Sequence, residues 1–244
     1  FINYYIDKNI KKMLDEYCED VGQTNTLAIE RILKSYLENY QKAKKILSEY
    51  AEDVPSMGAL SHYELYKEKA VENPIVATDC IDKFIEKGVK NLWAYYCCAQ
   101  PVNVSNRYFS MPSARNRVLG VQLYKYDIEG FLHWGYNFYY AARSRCFINP
   151  YLVTDAGGSF PSGDLFIVYP GADEKALKSL RLLVFNEGLQ DLRALTLAEK
   201  LAGRDTVLKL IEENGEIKFA KYPKGASYLL ELRTKINELI KQSI

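Results

Sequence analysis

Two continuous apolar runs constrain this chain more than any other feature. Leu92 to Cys98 and Gly130 to Phe138 are short, rich in Tyr, Phe and Trp, and almost free of charge. Runs of this kind read as strands covered on both faces. A strand covered on both sides needs helices above and below its sheet, and amphipathic segments flank both runs. Cys80 to Lys87 reads as a helix closed by Gly88. Ser113 to Tyr126 reads as another, with Ser113 as its N-cap. Met57 to Ser61, Ile75 to Ala77 and Leu165 to Tyr169 add three further short strands. Lys34 to Tyr50, Ala194 to Ala202 and Ala226 to Ile240 add three further helices. Residues 2–20 carry Tyr5, Ile6, Ile10, Met13, Leu14 and Tyr17 at spacings of three and four, which predicts a helix with one apolar face. Thr26 to Ile32 fits either a strand or the start of the helix that follows.

The alternation of doubly covered strands with helices predicts a parallel α/β sheet, open or closed into a barrel. In such folds ligands bind beyond the C-terminal ends of the strands. The informative stretches are therefore 97–100, 134–140 and 169–171. The long loop from Tyr139 to Gly163 is of a length that is usually either functional or disordered. The 244 residues suffice for one large domain, and 1–244 is read as a single one. The chain opens at Phe1 with a segment already helical in pattern, so it is expected to begin within a fold, and no compartment follows from it.

Charge and motif content narrow the chemistry. Thirty-two basic against 31 acidic residues give a formal charge of +1, which provides no global attraction to nucleic acid or an anionic membrane. No apolar run approaches the ~18 residues of a spanning helix. His62 and His133 are the two histidines, and the five cysteines follow no ligand spacing, so no metal and no cofactor is expected. Cys97 and Cys98 form a vicinal pair; buried free thiols are the plain reading. The phosphate-binding glycine motifs, HExxH and GxSxG are all missing. Asp15 and Glu16 are neighbours on a helical pattern and do not share a face.

The strongest local signal is GFLHWGYNFYY at 130–140. Strand alternation places Phe131, His133, Gly135 and Asn137 on one face and Leu132, Trp134, Tyr136 and Phe138 on the other. Trp and Tyr at strand ends stack on sugar rings, while Asn and His hydrogen-bond hydroxyls and amides. A packed aromatic core strand, with His133 as a core histidine, is the competing reading. Arg107, Arg115 and Arg117 cluster after the first strand run and serve either to clamp a carboxylate or to pair with acids inside the fold. Asp164, behind a Gly-rich loop, reads as a loop-structural residue.

Six motifs occur in order: LWAYYCCAQP (92–101), NRYFSMPSARNRVLG (106–120), GFLHWGYNFYY (130–140), INPY (148–151), PSGDLFIVYPG (161–171) and SLRLLVFNEGLQDLRAL (179–195). Together they resemble the catalytic-domain signature of domain-of-unknown-function family 4091, which is related to glycoside hydrolase family 123. The resemblance is dense over 90–195 and extends more thinly over 36–85. It implies the C-terminal portion of a (β/α)8 TIM-type barrel with C-terminal helices. It implies hydrolysis of N-acetyl-β-galactosaminides by a substrate-assisted retaining mechanism, outside the usual two-carboxylate scheme. In that mechanism the sugar's acetamido oxygen attacks the anomeric carbon, an Asp orients the acetamide and a neighbouring Glu is the general acid.

The same resemblance locates a departure. The family's Asp-Glu-Pro motif closes a strand just before the helix that reads SYLENYQKAKKIL here. At that place stands LAIERIL (27–33), with Arg31 and Ile32 where Asp and Glu belong. Glu30, one position off, is the nearby carboxylate and the single candidate catalytic residue. A lone Glu cannot both orient an acetamide and protonate a leaving group, and an adjacent Arg favours its ionised form. Tyr95, Arg117, Trp134 and Asn137 are then the expected substrate-binding residues, and an N-acetylhexosamine-containing glycan the expected partner. Two alternatives stay open: a non-catalytic carbohydrate-binding module, and a structural barrel fragment whose open sheet edges are covered in a homo-oligomer.

Overall fold

The computed structural model describes residues 25–50, 57–67, 71–100 and 102–244, together with residues 12, 15, 16, 18, 19, 52 and 54. The expected helix over 2–20 lies largely outside the described residues. A long helix α1 (Asn25–Tyr50) comes first. It absorbs Thr26 to Ile32, so the strand option for that stretch is not realised.

Four strands follow: β1 (Met57–Ala59), β2 (Asn73–Ala77), β3 (Trp93–Tyr96) and β4 (Gly130–His133). They form one parallel sheet in sequential order, β1-β2-β3-β4. Ile75 lies opposite Trp93, and Trp93 opposite Gly130. Each step from strand to strand crosses over through helix: α2 (Tyr63–Lys67), α3 (Asp82–Glu86), then α4 (Ala114–Arg117) and α5 (Leu119–Lys125). The predicted helix over Ser113 to Tyr126 is thus two helices meeting at Val118. Ser113 is itself helical in φ and ψ and makes no side-chain cap.

The two inner strands are the apolar ones. Val76, Ala94 and Tyr96 are fully buried and pack with Ile81, Phe84, Leu119 and Leu123. β4 departs from the expectation of a strand buried on both faces. It ends at His133 and stands at the sheet's edge, so Leu132 is 44% exposed while Phe131 and His133 pack on Tyr96. Phe138 lies beyond the strand.

The third apolar run behaves differently from its prediction. Val168–Pro170 (β5) pairs antiparallel with Ala176–Lys178 (β6) in a separate two-stranded sheet. Pro170 and Gly171 turn the chain back on itself, and a hairpin needs no crossover. Behind the main sheet lie α6 (Leu180–Ala202), α7 (Arg204–Glu212) and α8 (Ala226–Gln242). Their apolar faces meet α5 in a second core of Val118, Val121, Leu195, Ala198, Ile211 and Leu232. The fold is mixed α/β, with a parallel four-stranded sheet and helices.

Candidate functional site

A parallel sheet directs the ends of all its strands to one side, so β1 to β4 deliver their following residues to a common face. Ser61 follows β1, Asp79 and Cys80 follow β2, Cys97 and Cys98 follow β3, and Trp134 follows β4. Tyr95, within β3, brings its hydroxyl 3.4 Å from Ser61 Oγ. Its burial pushes the phenol up, which keeps Tyr95 a neutral hydrogen-bonding group.

Below this face sits a fully buried ion pair. Arg107 Nη1 lies 3.0 Å from Asp164 Oδ1, and both side chains are 0% exposed. Arg107 Nη2 also donates to the Trp134 carbonyl at 2.7 Å, and the guanidinium lies 4.5 Å from the centre of the Tyr96 ring. One side chain therefore anchors the exit of β4 to the loop that carries Asp164. Burial raises the Asp164 carboxyl and Arg107 opposes it. The chain passes so close here that a Cβ on Gly135 would collide with the Asp164 carbonyl, and Gly135 holds φ at +69°. Beside Arg107, His133 is enclosed by Tyr96, Phe131 and Phe185. Burial first, and the Arg107 charge second, push its pKa down to about 3, so it is neutral. His133 is a core histidine, and Asp164 is the loop-structural residue its position predicted.

The substrate-binding residues expected from sequence fall in different places. Tyr95 and Trp134 belong to the strand-end face, Trp134 standing edge-on to Phe138 and Phe160. Asn137 is exposed beyond β4, in an isolated bridge with Phe166. Arg117 is engaged elsewhere. Its Nε and Nη2 donate to the two Asp191 oxygens at 2.6 and 3.0 Å, and Asp191 also accepts from Arg233 at 2.8 Å. That arrangement ties α4, α6 and α8 together in the helical layer. Glu30 lies in α1, on helix rather than at a strand end, and its side chain is outside the described part of the structure.

Sequence reasoning did not single out an open cavity beside this face. It measures about 790 Å³ and is lined by Tyr108, Phe109, Tyr151, Tyr169, Ser179 and Arg181, among others. Its walls come from the loops after β3 and β4, the β5–β6 hairpin and the start of α6. Arg181 packs 4.6 Å under the Phe109 ring and donates to the Gly163 carbonyl. Ser179 caps α6 by accepting from Leu182 N–H, and donates to the Ile167 carbonyl at 2.5 Å. Four tyrosine or phenylalanine rings with hydroxyls and a cation form a wall suited to a polar ring-shaped ligand. The available signal was the aromatic density of the two long loops after β3 and β4, which no helix or strand period reveals. Among the described residues no group of three or more His, Cys, Asp or Glu side chains could hold a metal, and no helix is long and apolar enough to cross a membrane.

Comparison with known proteins agrees with this geometry. No curated protein matches the chain. Eleven solved chains do. One is a family 123 glycoside hydrolase from Clostridium perfringens, whose structure was analysed for the details of glycolipid glycan hydrolysis. It is 15% identical with a TM-score of 0.55, over 77% of this chain and 36% of that one. The chain thus spans about a third of that protein's length, and the likeness is one of fold. The family model described as glycoside hydrolase 123, catalytic domain, matches residues 5–198. The chain belongs to the glycoside hydrolase 123 catalytic-domain family.

Proposed function

We propose that this chain is the C-terminal portion of a (β/α)8 barrel of the family 4091 branch. In this reading it holds an N-acetylhexosamine-containing glycan at the C-terminal face of its sheet, with hydrolysis impaired. The observation that carries the reading is the family match over residues 5–198 on a parallel sheet whose strand ends present Tyr95 and Trp134. Substrate-assisted cleavage of an N-acetyl-β-galactosaminide needs one carboxylate to orient the acetamide and a second to protonate the leaving oxygen. Glu30 is the one carboxylate near the family's motif position. Asp164, the buried acid beneath the face, is occupied by Arg107.

The test is a titration of the chain with N-acetylgalactosamine and its thiazoline analogue, read through Trp93 and Trp134 fluorescence. Saturable quenching that Trp134→Ala abolishes supports the reading. A flat titration up to high millimolar sugar removes it. Hydrolysis of an aryl N-acetyl-β-galactosaminide, lost in Glu30→Gln, would show that one carboxylate suffices; binding without turnover is the expected result.

A further inference from the structure

Neighbouring residues on an extended strand point to opposite faces. At Cys97 and Cys98 that alternation no longer applies, because β3 has ended at Tyr96 and a turn begins. The Gln100 amide donates back to the Cys97 carbonyl at 3.4 Å, closing the turn. The two neighbouring thiols are close enough to influence each other electrostatically. The Cys97 backbone is held by buried side chains. Asn106 Nδ2 donates to the Cys97 carbonyl at 3.1 Å, the Tyr108 hydroxyl donates to the same oxygen at 2.5 Å, and the Cys97 amide donates to Gln100 Oε1. Gln100, Asn106 and Tyr108 are 5%, 0% and 5% exposed, while both cysteines keep access to solvent.

This geometry favours a bridge through a third atom over a direct S–S bond. A trans peptide sets adjacent Cα atoms about 3.8 Å apart, below the roughly 4.4–6.8 Å that disulfides prefer. Two sulfurs converging on one larger atom need no such compression. We propose that Cys97 and Cys98 form a dithiol site for a thiophilic centre that takes two protein ligands, namely a monosubstituted trivalent arsenical. The exchange is R–As=O plus two thiols giving R–As(S–Cys)2 plus water. Two As–S bonds form, the As=O bond is lost, both thiol protons leave in the water, and arsenic stays trivalent, so no oxidant or reductant is involved. The arsenical carries its own carbon as third ligand. The neighbouring Cys98 thiol, assisted by the Ala99 amide and the Arg107 charge, lowers the Cys97 thiol to about 7, so a nucleophilic thiolate is present near neutrality.

The test uses the reduced full chain and phenylarsine oxide, read by intact mass, peptide mapping and counting of free thiols. One equivalent should add and remove two free thiols. The adduct should survive excess 2-mercaptoethanol and be reversed by 2,3-dimercaptopropanol. Cys97→Ser and Cys98→Ser should each release the arsenical about 100-fold faster, the loss expected when two linked contacts become one. The combined variant Cys18→Ser, Cys80→Ser, Cys146→Ser should bind as the parent does, and far-ultraviolet circular dichroism of each variant checks its fold. Retention by either single variant, independent uptake of two equivalents, or mapping of the adduct to Cys80 would overturn the proposal.

Discussion

Arg107 and Asp164 are held by more than each other, and their removal one at a time should be costly. Asp164→Ala leaves a guanidinium buried without its counter-charge. The expected destabilisation is about 3–5 kcal/mol in chemical denaturation. The double variant Arg107→Met, Asp164→Leu should recover most of it, because no charge is then left buried. His133 makes a pH prediction. Its folded pKa of about 3 lies below its ordinary 6.5, so between those values the unfolded chain binds the extra proton. Stability therefore falls as pH drops through that window, by up to about 1.4 kcal/mol per unit. Urea midpoints at pH 7 and pH 5 should show this slope, and His133→Phe should flatten it. At this scale the sequence was partly legible. His133 as a core residue and Asp164 as a loop residue followed from pattern and position. The partner of Arg117 did not, because Asp191 lies 74 positions along the chain and no local rule links the two.

At the scale of elements, the crossing of α5 and α6 depends on two glycines. A Cβ on Gly120 would collide with the Gly188 carbonyl, and one on Gly188 would lie 2.7 Å from the Arg117 carbonyl. Backbone cannot yield as a flexible side chain does. Gly120→Ala should cost at least about 1–3 kcal/mol, seen as a lower thermal midpoint, despite alanine's better helix propensity. Ser179→Ala removes the α6 cap and should cost about 1 kcal/mol. Helices with a clear apolar face were readable from spacing, as α8 shows. Strand limits were less so. Gly130 to Phe138 reads as one uniform apolar run, yet pairing stops at His133, which lies opposite Tyr96, the last residue of β3. Leu165 to Tyr169 has a core-strand composition, and only the fold shows the strand shifted to Val168–Pro170 and paired with β6 in a hairpin.

For the molecule as a whole, the sheet has two open sides among the described residues: β1 pairs with β2 alone and β4 with β3 alone. Unpaired edges promote association. Sedimentation from micromolar concentrations upward is expected to show self-association, and a monomer throughout would mean that the chain covers its own edges. The sequence by itself determined the class of fold, since short apolar runs alternating with amphipathic helices lead to a parallel α/β sheet. Its ordered motifs also pointed to family 4091, a relative of the glycoside hydrolase 123 family whose model matches the chain. Only the tertiary structure decided which residues share a surface. It joined Tyr108, Tyr151, Tyr169 and Arg181 in one cavity, and drew Arg117 into the helical layer. The physical reason is range. Burial and periodicity act over a few residues and leave their mark on local sequence, whereas a cavity wall or a buried ion pair is made by chain segments that meet only once the sheet and helices have packed.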